Sequence, residues 1–374
     1  MEKNRKIGYR PTWAEINLRH LMHNFRQVRR RLLPKTRIMV TVKADAYGHG
    51  LIPISRKLVS CGVDYLGVAS VEEGIALRKA GIRTPVLVMG LVLKKDIAPL
   101  LRYRLTATVC DEALAHALND RARLYKRPLD VHIKVDTGMG RLGVLPEEVL
   151  PLVRKIHQLK NLRIEGIFTH FTMADSDKNF THRQIRLFHR LLDDLKKEGI
   201  RIPLAHAANS MGVLDFKQGH FNMVRPGIII YGLHPKEDLK IKLKPLLVLK
   251  SRVIFKKRLP PGWGVSYGRT YITKKKTTVI TLPIGYGDGY PRILSNKAPV
   301  LIGGKRFKVC GRICMDHMMV DVGDSKVRIG DEVVLIGSQG KMRITAEELA
   351  RLAETISYEI VCGLGNRIPR LYIR

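Results

Sequence analysis

Up to Tyr231 the chain alternates between short apolar runs and amphipathic stretches. The apolar runs fall at 37–42, 64–69, 85–89, 105–109, 131–135, 164–168, 202–206 and 223–231. Short, nearly continuous apolar runs suit strands buried on both faces. Helical periodicity fills the spaces between them, as at 71–81 and at 183–199, where Ile185, Phe188, Leu191, Leu192 and Leu195 share one face. Residues 12–16 read as a short strand. Asn17 can then cap a helix whose apolar positions Leu18, Leu21, Met22, Phe25, Val28 and Leu32 recur at steps of three and four. Roughly eight strands, most followed by a helix, predict an α/β fold with a parallel (β/α)8 barrel of the TIM type. Lys43, Arg141, His170, Asn209 and Ser210 follow apolar runs, and Arg225 falls near the start of the last one. A barrel gathers such positions on one rim, whereas a doubly wound sheet builds its site at one switch point. Their spread over many strand ends favours the barrel.

The pattern changes after Tyr231. Residues 234–238 read as a linker, and β-rich segments at 247–255, 277–282, 300–308 and 332–336 follow, broken by Gly and Pro. These predict an all-β second domain, dividing the chain into a barrel over 1–239 and a β-rich domain over 240–374. Thr345 can cap a short helix, with Glu348 completing a capping box.

Composition narrows the class. The 374 residues are 45% hydrophobic, ample for a large core. No apolar run reaches the roughly 18 residues of a membrane span, and no apolar segment follows the basic residues 1–10, so a cytoplasmic protein without a secretory signal is expected. Cys61, Cys110, Cys310, Cys314 and Cys362 are odd in number and mostly far apart, which argues against a disulfide framework. Cys310 and Cys314 are close, but nothing completes a zinc site with them, and no metal is expected. All five read as buried or semi-buried. The net charge of +34 comes from 67 Lys and Arg against 33 Asp and Glu. The basic residues are spread along the chain, without an aromatic-rich RNA motif or zinc finger, so they read as solvated surface and not as a specific nucleic-acid site.

The segment 42–50, Val-Lys-Ala-Asp-Ala-Tyr-Gly-His-Gly, carries the candidate chemistry. Lys43 sits where an apolar strand opens into a glycine-bearing loop. Partial burial disfavours the ammonium form and lowers a lysine pKa from its usual value of about 10.4. Such an amine is a good Schiff-base former and a good proton acceptor. Tyr47 can reach a phosphate from the same loop. The segment reads either as a site for an aldehyde cofactor that bears a phosphate, or as a strand end with a solvated lysine.

The run 43–50 resembles the pyridoxal-phosphate lysine motif of the alanine racemases. Further matches to that family follow in order at 12–18, 136–143, 169–171, 208–210 and 224–228, and then at 265–268, 284–290, 311–316 and 367–370. Together they span nearly the whole chain. The resemblance implies that Lys43 holds pyridoxal 5'-phosphate and acts as a base on one face of it, exchanging the proton of the D-enantiomer. Tyr267 is implied as the opposite-face acid/base, exchanging that of the L-enantiomer. A tyrosine needs nearby cations to ionise more readily, and His170 and His206 are the histidines to watch. Arg225 is implied to face the pyridine nitrogen. A guanidinium only donates, so it favours an unprotonated ring nitrogen and suppresses side reactions. Tyr47, Ser210, the backbone amides of Gly227 and Ile228, and Tyr358 are implied phosphate contacts. Arg141 would fork onto the substrate carboxylate, with Met315 as a second substrate contact. Lys134 aligns with a lysine that is carbamylated in some relatives and orients the arginine. Tyr286 is placed near the entry to the site, and Asp288 reads as turn chemistry. A head-to-tail homodimer with shared active sites is implied.

The reading is therefore a pyridoxal-phosphate isomerase that racemises alanine and supplies D-alanine for peptidoglycan. A racemase of serine, lysine or another amino acid is the nearest alternative. Barrel-type decarboxylases usually place an acidic group at the pyridine, which Arg225 and Tyr267 argue against. Cofactor-carrying relatives without catalysis are barrel-only, which the second domain argues against. A nucleic-acid module rests on charge alone.

Overall fold

A computed structural model describes residues 9–236 and 239–373. Residues 1–8 of the basic N-terminal stretch, and 237 and 238 of the linker, lie outside the described residues. The first strand, β1 (Thr12–Asn17), leads into the helix Leu18–Arg29. The Asn17 side chain caps that helix by accepting from the amides of Arg19 and His20. Eight parallel strands then close a barrel: β2 (Arg37–Thr41), β3 (Tyr65–Val68), β4 (Val86–Val88), β5 (Thr106–Val109), β6 (Leu129–Lys134), β7 (Leu162–Phe168), β8 (Leu204–His206) and β9 (Met223–Val224). Met39, Tyr65, Leu87, Phe168, Leu204 and Met223 form a buried cluster contributed by the barrel strands. Burying side chains of this size is worth about 1.5–3 kcal/mol each, so the interior is a packed layer and not a channel.

The apolar run 223–231 is not one strand. β9 ends before Pro226, which has no amide to donate to a ladder. Gly227 turns the chain, and Ile228–Tyr231 form a buried 3-10 turn. The amide of Thr41 still donates to the Pro226 carbonyl at 3.1 Å, which continues the closure onto β2.

The second unit is β-rich. Its strands are β10 (Leu247–Arg252), β11 (Phe255–Leu259), β12 (Gly264–Val265), β13 (Tyr271–Ile272), β14 (Thr277–Leu282), β15 (Pro299–Ile302), β16 (Lys305–Val309), β17 (Met318–Gly323), β18 (Glu332–Gln339), β19 (Met342–Ile344) and β20 (Arg370–Ile373). All but the pair β12–β13 join one sheet, in the order β11-β14-β17-β16-β15-β18-β10-β1-β20, with β19 on β18. The run 247–255 thus divides into two strands, and 300–308 folds into the hairpin β15–β16. β1 belongs to this sheet, antiparallel to β10 and parallel to β20. Thr345 caps the helix Ala346–Leu352 by accepting from the Glu348 amide at 3.1 Å. The Glu348 carboxylate does not complete a capping box; it pairs with Arg306, a stronger partner than a backbone amide.

Among the described residues, the only buried lysine and arginine are Lys134 and Arg225. The charge excess therefore sits outside the core, with these two exceptions at one place. No helix among the described residues is long and apolar enough to cross a membrane.

Candidate active site

Lys43 opens a left-handed turn. Ala44, Asp45, Ala46 and Tyr47 have φ between 52° and 55°. This conformation costs about 1–2 kcal/mol per non-glycine residue, so it needs external support. Glu73 accepts from the amides of Ala44 at 2.6 Å and Ala69 at 2.8 Å, bridging the ends of β2 and β3. The Asp45 carboxylate accepts from the Leu51 amide at 2.7 Å, and His49 Nδ1 donates to the Tyr47 carbonyl at 2.7 Å. From the second unit, Arg370 donates to the Gly48 carbonyl and the Tyr372 hydroxyl donates to the His49 carbonyl, each at 3.2 Å. Lys43 is left half-buried on a cavity wall. Burial, helped by the charge of Arg141, lowers its pKa below the usual lysine value.

The cavity measures about 540 Å³. Around it stand Lys43, Lys134, Arg141 and Arg225, and no Asp or Glu lines it among the described residues. Arg225 is anchored through both terminal nitrogens: Nη1 donates to His206 Nδ1 at 2.7 Å, and Nη2 to the carbonyls of Thr169 at 2.6 Å and Ala207 at 3.0 Å. Nη2 also lies 3.3 Å from Nδ1 of His170. Burial pushes the Arg225 pKa down to about 9, so it remains a cation at neutral pH. Lys134 Nζ donates to the Val135 carbonyl at 2.9 Å. Burial first, then the charge of Arg225, pushes its pKa down to about 7. Both cations lie over the Phe168 ring, at 5.2 Å for Lys134 and 5.3 Å for Arg225. Arg141 belongs to the loop after β6, where the Asp136 carboxylate accepts from its amide at 3.2 Å. Among the described residues its guanidinium has no hydrogen-bond partner, which leaves its fork open.

The same cavity is also lined by hydroxyls. Tyr47 stacks on Tyr231 at 4.8 Å and stands 6.0 Å from the Tyr358 ring. Burial raises the pKa of Tyr47 and of Tyr358, so both are neutral donors. Ser210 Oγ accepts from the Gly227 amide at 3.0 Å, so that amide is already committed to Ser210. A Cβ on Gly227 would come within 2.6 Å of Tyr47 Oη, so only glycine keeps this cradle open. Ile228 completes the wall. An amine of lowered pKa, a hydroxyl cradle and a fixed guanidinium fit a carbonyl cofactor that bears a phosphate. A wider cleft of about 800 Å³ adjoins through His170, Asn209, Ser210 and Tyr358, but it lacks Lys43 and Arg225.

Other candidates fall elsewhere. Tyr267, Met315 and Tyr286 do not line this cavity; they lie on the second unit, 71%, 54% and 43% exposed. His206 is fully buried behind Arg225 and stacks on Phe168 at 4.8 Å, so of the two watched histidines only His170 lines the cavity. Asp288 is more than turn chemistry: it is buried and pairs with Arg10 at 2.6 Å and Arg367 at 3.4 Å. Cys362, expected to be at least half-buried, is exposed and lines the cavity. His132 and Glu165 were missed because each is a polar residue embedded within a mostly apolar run. The signal was their presence in 131–135 and 164–168.

Fold and rim together define a barrel enzyme with an appended β-domain and a cationic pocket for small anionic ligands. The family descriptions "Alanine racemase, N-terminal domain" and "Alanine racemase, C-terminal domain" match residues 16–235 and 246–372. The chain is 50% identical to the alanine racemase of Halothermothrix orenii, over 99% of this chain and 98% of that one. It is 45% identical to that of Carboxydothermus hydrogenoformans, over 97% and 100%. The solved alanine racemase of Clostridium difficile 630 superposes with a TM-score of 0.93 at 39% identity, covering 97% of this chain and 96% of that one. That of Bacillus anthracis with bound L-Ala-P gives 0.92 at 34% identity, covering 98% and 96%. The chain belongs to the alanine racemase family, whose members are isomerases.

Proposed function

We propose that the protein interconverts L- and D-alanine with pyridoxal 5'-phosphate bound at Lys43, in the cytoplasm, supplying D-alanine for peptidoglycan. The observation that carries this reading is the pairing of the Lys43 amine with a buried Arg225 on one cavity that no carboxylate of the described residues lines. When bound, the cofactor supplies an electron sink that weakens the bond between the α-carbon of an amino acid and its hydrogen.

The chain's own residues do the rest. Tyr47, Ser210, Ile228 and Tyr358 hold the phosphate. Arg225 presents N–H groups to the ring nitrogen and keeps it unprotonated. Arg141 forks onto the substrate carboxylate. Lys134, once carbamylated, offers an anion that orients Arg141. Lys43 Nζ, whose lowered pKa gives a larger neutral fraction than an ordinary lysine, moves the α-proton on one face. Tyr267 moves it on the other. Its exposure on the second unit supports its delivery from the 240–374 unit of a second copy, with His170 on the receiving side, Tyr286 near the entry and Met315 as a second substrate contact. The site is then shared in a homodimer.

A substrate panel tests the reading. Single L-amino acids are incubated with the purified protein and the products resolved chirally. D-alanine should dominate; dominant D-serine or D-lysine would overturn the assignment.

A further inference from the structure

Arg225 is one end of a hydrogen-bonded chain that runs through the barrel interior, away from the cavity. Its Nη1 lies 2.7 Å from His206 Nδ1, and His206 Nε2 lies 2.9 Å from His132 Nδ1. His132 Nε2 lies 3.3 Å from Glu165 Oε2, which also accepts the Tyr65 hydroxyl. Glu165 and Tyr65 reach a cleft lined by Arg83 and Arg104, which precede β4 and β5, so the chain ends at the rim opposite Lys43.

The direction of every link follows from the groups at its two ends. A guanidinium has donors only. His206 Nδ1 is therefore a bare acceptor, and its proton sits on Nε2. That N–H donates to His132 Nδ1, so the His132 proton also sits on Nε2 and points at Glu165. The far end is a carboxylate, which accepts only. Both imidazoles are fully buried, and burial lowers their proton affinity, which keeps each at one proton. The barrel is shaped for this arrangement. The register of β6 on β7 shifts between Val131 and His132, and a Cβ on Gly166 would come within 2.5 Å of the His132 ring.

We propose that Glu165 is a positioning residue for the reaction: as the terminal acceptor it fixes the tautomers of His132 and His206, and so keeps a lone pair of His206 facing Arg225. The inference rests on the reading of Arg225 as the partner of the cofactor ring. Without an acceptor at the far end, the tautomers of both histidines can invert. An N–H on His206 Nδ1 would then face an Arg225 N–H across 2.7 Å, and the guanidinium would have to turn away.

Nitrogen-15 NMR of histidine-labelled holoenzyme reads these tautomers directly. In the wild type both histidines should carry the proton on Nε2. Glu165→Leu should populate the inverted tautomers and lower kcat by roughly tenfold or more, a cost of the size seen when the outer partner of a metal-binding histidine is lost. Glu165→Gln keeps a carbonyl oxygen for His132 and Tyr65, and should retain the tautomers and most of the activity. A wild-type His206 protonated on Nδ1 would overturn the proposal, and so would Glu165→Leu with unaltered tautomers. If Glu165→Leu does not fold, the wild-type tautomers and Glu165→Gln decide: inverted tautomers in Glu165→Gln contradict it. Failure of the cofactor reading would show separately, as absent borohydride labelling of Lys43 in the wild type.

Discussion

Arg370 Nε donates to the Gly48 carbonyl at 3.2 Å, tying the last strand of the chain to the turn that begins at Lys43. The same guanidinium donates to the carbonyls of Gly365, Ile368 and Leu364 at 2.5–2.6 Å, which follow the helix Ser357–Cys362 that carries Tyr358. One side chain thus fixes the lysine turn and one wall of the phosphate cradle together. Arg370→Ala should cost about 2–3 kcal/mol, as several partly buried hydrogen bonds at about 1 kcal/mol each are lost. It should also speed cofactor release, read by dialysis and absorbance. Arg370→Lys should recover little, because an ammonium cannot reach carbonyls on both sides at once.

Gly227→Val places a side chain against Tyr47 Oη, since the first added carbon would already come within 2.6 Å. Overpacking of this kind costs about 1–3 kcal/mol. The variant should fold and lose most of its bound cofactor, measured as the ratio of cofactor to protein after gel filtration.

Lys134 makes stability depend on pH. Its folded pKa is about 7 against an ordinary 10.5, so between those values the unfolded chain binds the extra proton. Stability should therefore rise with pH across that window, with the full cost of the buried charge present below about pH 7. Denaturant titrations in buffer freed of carbon dioxide, where no carbamate can form, should show this slope. Lys134→Met should flatten it.

Shared sites predict complementation. Lys43→Ala and Tyr267→Phe should each be nearly inactive alone. Mixed, unfolded and refolded together, they should recover about a quarter of the wild-type sites, because each mixed dimer holds one intact pair. No recovery would mean that both residues act within one chain.

Much of the architecture was legible because burial on both faces leaves a continuous apolar run. Each of the eight runs overlaps a barrel strand, and the polar residues near the strand ends meet on one rim. The run 223–231 misled because apolar continuity does not separate a strand from a buried 3-10 turn. The place of β1 in the distant sheet was not legible, because strand pairing is decided by partners far along the chain. In Ala44-Asp45-Ala46-Tyr47 only Asp45 is of a type that adopts positive φ readily; the turn is supported by Glu73, Arg370 and Tyr372. At the site, Lys43, Arg225 and the hydroxyl cradle were visible as motifs. His132 and Glu165 were not, because their partners come from other strands.

Borohydride reduction of the purified protein, followed by peptide mass mapping, tests the central claim most directly, namely that Lys43 is the amine that binds the cofactor. The account predicts a yellow protein that bleaches on reduction, loses activity, and yields one modified peptide with the label on Lys43. A colourless protein, or a label on Lys134 or any other lysine, would contradict it.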